Sequence, residues 1–226
     1  MAMLMRLELR KIRLRNWLLS FAAANLVIAM WVVTNLPNEG VRTFVEAFYS
    51  NRSYVEMTFI VFSSVFMSKL VMDEYKSKTV ANLFAYPIAR SRLLAAKLIV
   101  TALFSFAASM LSNLFVAAFF LAANAKNGYI AEPLTSGLLT DEALRIFINA
   151  FAVTGVVLLP LYVGMARKSG NAIIVASFVL ALGLGGSHDE SGHNWTLAAA
   201  IAACCVGAGF VSAAFAVRKA EREDIL

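Results

Sequence analysis

The sequence predicts an all-α integral membrane protein with about six transmembrane helices and both termini cytoplasmic, and three observations carry this reading. Of the 226 residues, 60% are apolar and only 15% charged, with a mean hydropathy of +0.73, so the polar surface that a soluble globule of this size requires is missing. Crossing a hydrocarbon core about 30 Å thick takes about 20 mostly apolar helical residues, and the chain supplies such runs repeatedly between short polar connections. Lysine and arginine alternate between dense and sparse along those connections, as they do when short loops retain positive charge on the cytoplasmic side.

Taken in order, residues 1–16 form a basic segment with Arg6, Arg10 and Arg13 on one helical stripe and Met5, Leu9 and Ile12 on its neighbour. This predicts a helix lying along the inner headgroup layer. A second apolar stripe from Met3, Leu7 and Leu14 suits packing against protein equally well. The transmembrane domain covers 17–217, with spans expected at 17–36, 55–72, 93–123, 146–166, 172–185 and 197–217, and residues 218–226 form a cytoplasmic tail. The first run leads into Asn35-Leu36-Pro37-Asn38 without a small-x-small cleavage pattern, so it is read as a retained helix. The third run exceeds one span, which puts its first turns in the cytoplasm. The fifth is short and ends in Gly183, Gly185 and Gly186, as a segment crossing only part of the bilayer would, with the stretch to Asn194 dipping back or capping the outer face.

With the N-terminus inside, sixteen of the twenty basic residues fall on inner segments, and only Arg42, Arg52, Lys126 and Arg145 fall outside. The net charge of +6 is therefore a topology signal and does not point to nucleic acid. Ionisable groups at bilayer depth normally signal function because they are costly there, and few are present. Glu56 at the outer end of the second span and Lys69 at its inner end are expected to reach the interfaces by snorkelling.

His188, Asp189, Glu190 and His193 gather potential metal ligands, but the two histidines are five apart rather than the four of a helical zinc site, so a solvated loop with no metal is expected. Cys204 and Cys205 are adjacent in an apolar run and read as small core residues. Asn51-Arg52-Ser53 and Asn194-Trp195-Thr196 match the glycosylation sequon outside the membrane, a pattern common by chance. No glycine-rich phosphate-binding run occurs, so nucleotide hydrolysis is left to another chain and no cofactor is expected in this one.

Polar residues within the spans are more informative. Ser105, Ser109, Ser112 and Asn113 follow i, i+4, i+7 and i+8 and share one helix face. Such a stripe either glues helices in lipid or lines a substrate path, and Asn149 and Thr154 of the fourth span, ahead of Pro160, are candidates for the same path. In the sixth span Ala203, Gly207, Gly209 and Ala213 have the small-residue spacing of close helix contacts.

Between the second and third spans, the segment 73–92 carries large apolar groups among basic flanks. Thr79 can cap a short helix over 80–86, and Pro87 stops it. Leu83, Phe84 and Tyr86 are more than a connector needs, whereas a plug for a groove on a soluble partner requires them. Packing of the same aromatics on the membrane surface is the alternative. This stretch resembles the permeases of type-2 ATP-binding-cassette exporters through Glu74, Lys78-Thr79, Leu83-Phe84, Tyr86-Pro87, Arg90 and Lys97, and its Tyr-Pro-Ile wording is most similar to permeases of bacitracin, lantibiotic and other peptide-antibiotic exporters.

The resemblance implies a non-enzymatic permease in a bacterial plasma membrane, paired with a separate ABC ATPase subunit that holds ATP and Mg. It implies that the 73–92 segment supplies a cytoplasmic coupling helix, through Glu74, Lys78, Thr79, Leu83, Phe84, Tyr86, Pro87 and Arg90. A second permease copy or a related chain would complete the transporter, and the cargo would be an amphipathic peptide antibiotic, drug or lipid-like molecule. A non-transporting scaffold or sensor, and a membrane-embedded hydrolase built on His188–His193, are the competing readings.

Overall fold

The computed structural model describes residues 14–35, 41–76, 90–130, 132–167, 169–185 and 195–222. They form six helices, α1 (Leu14–Asn35), α2 (Phe44–Lys76), α3 (Arg90–Asn127), α4 (Ser136–Arg167), α5 (Gly170–Gly185) and α6 (Trp195–Arg222), and no strand is present among the described residues. The helices α1 to α4 are long and apolar enough to cross a membrane, whereas α5, with 16 residues, and the described apolar part of α6, Ala203–Phe215, are shorter. At 1.5 Å per residue α5 is about 24 Å long, less than the full hydrocarbon thickness.

Helices α2 and α4 extend well past the apolar runs in the sequence, because charge does not end a helix when something satisfies it. Before α2, Thr43 and Glu46 form a reciprocal cap: the Glu46 amide donates to Thr43 Oγ1 at 3.3 Å, and Glu46 Oε2 accepts from the Thr43 and Arg42 amides at 3.4 and 3.0 Å. The helix therefore starts at Phe44, eleven residues ahead of the expected span. The third run is one continuous helix of 38 residues. It stops where Gly128 adopts φ 66° and its amide donates to the Asn124 carbonyl at 2.7 Å, a left-handed cap that favours glycine. Asn124 Oδ1 then accepts the Ile130 amide at 2.8 Å and fixes the departing chain.

At the centre α2 packs against α3, α4 and α5, while α6 covers α4 and α1 rests chiefly on α3. One apolar cluster joins Ile28 and Val32 of α1 to Phe48 and Phe59 of α2 and Val116 and Phe120 of α3. A second, at the opposite end, joins Met67 and Val71 of α2 to Leu94 and Leu98 of α3, Leu158, Leu161 and Met165 of α4, and Ile173 of α5. Lys97 is buried at this end of α3 and donates from Nζ to the Leu70 carbonyl of α2 at 2.9 Å, tying together the two helices on either side of the segment 77–89. Outward-facing Leu26, Val27, Leu111, Phe178, Val179 and Phe210 are each more than half exposed. Water would not favour so large an apolar surface, but lipid does.

Among the predicted coupling residues, Glu74 lies in the last turn of α2 and Arg90 opens α3. Lys78, Thr79, Leu83, Phe84, Tyr86 and Pro87 lie outside the described residues, as do most of the N-terminal basic segment (1–13) and His188, Asp189, Glu190 and His193.

Candidate functional site

A groove of about 650 Å³ runs along α2 between α1 and α5. It exists because α1 leans on α3 rather than on α2, leaving a face of α2 uncovered up to α5. Met57, Thr58, Val61, Phe62, Val65 and Lys69 of α2 make its floor, with Asn16, Trp17 and Ser20 of α1 on one wall and Phe178, Ala181 and Leu182 of α5 on the other. The walls are largely apolar, and polar groups concentrate at the Lys69 end.

That end is organised by aromatic packing. Trp17 meets Phe66 edge-on at 5.0 Å and Phe62 at 5.5 Å, and Phe66 stacks on Phe104 of α3 at 4.1 Å. The Lys69 ammonium lies 5.3 Å from the centre of the Trp17 ring, within cation–π range. The Lys69 side chain is thus directed toward Trp17 of α1.

The stripe predicted on α3 is real as a face and points inward: Ser105, Ser109, Ser112 and Asn113 are all buried. The Ser112 hydroxyl donates to Asn25 Oδ1 of α1, whose amide nitrogen donates to the Phe21 carbonyl at 2.9 Å. Asn113 donates to the Ser109 carbonyl at 2.9 Å. The Ser105 and Ser109 hydroxyls, like those of Ser63 and Ser64 on α2, are buried without a hydrogen-bond partner among the described residues. Such groups are uncommon because a buried, unbonded hydroxyl is costly. The stripe is enclosed and does not line the lateral groove.

Asn149 and Thr154 do not join that face. Thr154 turns its hydroxyl back to the Ala150 carbonyl at 2.8 Å, whereas Asn149 Nδ2 donates to Glu56 Oε2 at 2.8 Å. Glu56 is buried, so in place of the expected snorkelling it is held by a partner on α4. One turn away Arg52 of α2 pairs with Glu142 of α4. Arg52 and Glu56, one turn apart on α2, thus meet Glu142 and Asn149, two turns apart on α4, and two polar rungs lock α2 to α4. Neither the rungs nor the groove was expected. Both gather residues distant in the chain, and the one available signal was that the charges near the start of the second span recur at helical spacing.

Pro160 sits inside α4, and the Ser212 hydroxyl of α6 donates toward the neighbouring Leu158 and Leu159 carbonyls at 3.3 and 3.4 Å. Of the small residues expected to make a close contact in the sixth span, Gly209 does so and Gly207 faces open space. No group of three or more potential metal ligands occurs among the described residues.

A family model described as ABC-2 family transporter protein matches residues 4–183. The chain is also similar to the uncharacterized protein YcbO of Bacillus subtilis (strain 168), with 33% identity over 227 residues that cover 98% of this chain and 99% of that one. No solved structure matches. Since the family match runs from before α1 into α5 and the long apolar helices form its body, the chain belongs to the ABC-2 transporter family, whose membrane subunits work with an ABC ATPase subunit.

Proposed function

We propose that this chain is the permease subunit of an ABC exporter that moves an amphipathic cargo, with ATP hydrolysed by a separate subunit. The observation that carries the reading is the groove along α2, which is apolar over most of its length, polar at one end and open to the side between α1 and α5. A cargo with an apolar body and a polar end matches that division. Peptide antibiotics, drugs and lipid-like molecules of this kind enter a membrane subunit from lipid more readily than a small hydrophilic ion does.

In this proposal all six helices cross the membrane, with both termini cytoplasmic and the segment 73–92 docked on the ATPase. The assembly is completed by a second permease and sits in a bacterial plasma membrane. The α3 stripe is the inner part of the path. The Asn25–Ser112 bond keeps it closed, and movement of α1, the least buried of the long helices, opens it.

The test fills the groove from an exposed position. Ser20→Trp places an indole in the groove, while Leu19→Trp places one on the neighbouring surface outside it. In complexes purified with the native ATPase, Ser20→Trp should lower cargo-stimulated ATP hydrolysis at least tenfold and Leu19→Trp should not. Equal stimulation in both variants would remove the groove from the path.

A further inference from the structure

We propose that the groove holds an acidic phospholipid, with its anionic headgroup against Lys69 and one acyl chain along α2. The proposal rests on reading the groove as a ligand site and specifies the occupant.

Charge complementarity chooses the headgroup. Arg52 of α2 is neutralised by Glu142, and Lys97 is buried against a backbone carbonyl. Lys69 is exposed, and its ammonium lies over the Trp17 ring. An ammonium over an aromatic face keeps its N–H donors available. The Asn16 amide and the Ser20 hydroxyl add donors at the same end of the groove, with Arg15 next in sequence. A phosphate flanked by further oxygen acceptors satisfies this set. A choline headgroup fits poorly, because its own cation would seek the Trp17 face that Lys69 already occupies.

Length chooses the source. Met57 and Lys69 mark the ends of the groove floor and are separated by about 18 Å along α2 at 1.5 Å per residue. That is close to half of a hydrocarbon core about 30 Å thick, the depth of one leaflet. Phe178 and Leu182, on the α5 wall, are more than half exposed, so a chain reaches the groove sideways from the bilayer. A lipid of the leaflet at the Lys69 end therefore has its headgroup and its chain where the groove has its donors and its apolar floor.

The test uses Trp17 as the reporter, in the full chain carrying Trp31→Phe and Trp195→Phe and placed in phosphatidylcholine nanodiscs. Phosphatidylglycerol or phosphatidylcholine with brominated chains is added in small mole fractions, and quenching of Trp17 is read. Brominated phosphatidylglycerol should quench at about a fivefold lower mole fraction, the preference expected of one basic residue near an anionic surface. Lys69→Gln should abolish the preference and Lys69→Arg should keep it. Equal quenching by the two lipids in the parent, or a preference that survives Lys69→Gln, would overturn the proposal. So would a free brominated fatty acid that displaces phosphatidylglycerol, since it would make the occupant a free acid. The assay needs neither ATPase nor cargo, so its failure leaves the Ser20→Trp result to stand or fall alone.

Discussion

Gly209 of α6 lies so close to Gly155 of α4 that a Cβ on Gly209 would sit 2.2 Å from the Gly155 carbonyl oxygen. The contact is reciprocal, since a Cβ on Gly155 would sit 2.5 Å from Val206 Cα. Backbone occupies both sides, so no side chain can rotate away to make room. In lipid, where helices gain little from the hydrophobic effect, such backbone proximity is a main source of association. It lets the α6 surface run along α4 for much of its length. Gly209→Ala should therefore separate the two helices and lower stability by about 1–3 kcal/mol or more, the cost of overpacking. Gly207→Ala, with nothing within 4 Å of its Cβ, is the control and should be neutral or slightly stabilising. Thermal unfolding of the two variants in matched detergent decides, and equal midpoints would contradict the contact.

The Arg52–Glu142 pair is expected to behave as a clamp between α2 and α4. Both side chains are mostly buried, with relative exposures of 12% and 10%. Removing one partner leaves a charge out of water, at a cost of about 3–5 kcal/mol, whereas removing both removes that penalty. Arg52→Leu or Glu142→Leu alone should then destabilise strongly, and the double variant should recover much of the loss. A double-mutant cycle by denaturant titration in mixed micelles measures the coupling. Simple additivity of the two single effects would show that the pair is independent in solution.

These polar rungs also explain where the sequence was legible. The runs of α1, α3 and α5 are apolar nearly end to end, so their helices follow from composition within a few residues at most boundaries. For α2 the stretch from Phe44 to Tyr54 contains Glu46, Asn51 and Arg52 and reads as an outer loop. It is helix because Glu46 closes the cap with Thr43 and Arg52 meets a carboxylate ninety residues later. The α3 stripe was legible as a face because helical spacing is local. Whether that face met lipid, cargo or protein was not, since Asn25 lies 87 residues away. The groove was illegible for the same reason: it is the space left where α1 departs from α2, and no local pattern encodes a gap between helices.

Orientation rests on the basic residues and is open to direct measurement. In a background with Cys204→Ala and Cys205→Ala, single cysteines at Glu39→Cys and Glu190→Cys should react with an impermeant thiol reagent added outside intact cells. Lys78→Cys and Arg222→Cys should react only after permeabilisation. External labelling at Lys78→Cys would invert the topology, since the opposite orientation would leave sixteen of the twenty basic residues outside.

Coupling to the ATPase is expected to depend on the apolar centre of the segment 73–92 more than on its charged flanks. Small interfaces draw most of their affinity from a few large side chains packed in the middle, and truncating one commonly costs above about 2 kcal/mol. Leu83 and Phe84 are the apolar candidates, between a helix-capping Thr79 and the Pro87 stop. Lys76, Arg90 and Arg92 flank them, and exposed charges mainly alter encounter rate and salt dependence. The ends of this segment are held by α2 and α3, which Lys97 joins through the Leu70 carbonyl, so a change inside the segment need not disturb the membrane helices. Phe84→Ala should therefore insert normally, lose ATPase copurification by about thirtyfold, as 2 kcal/mol implies, and lose cargo-stimulated hydrolysis with it. Lys76→Ala should lose little at physiological salt and show its effect as a weaker dependence of association on ionic strength. If Phe84→Ala retained both copurification and stimulation, the segment would not be the coupling element, and a scaffold or sensor role for the chain would then account better for Phe84 and Tyr86.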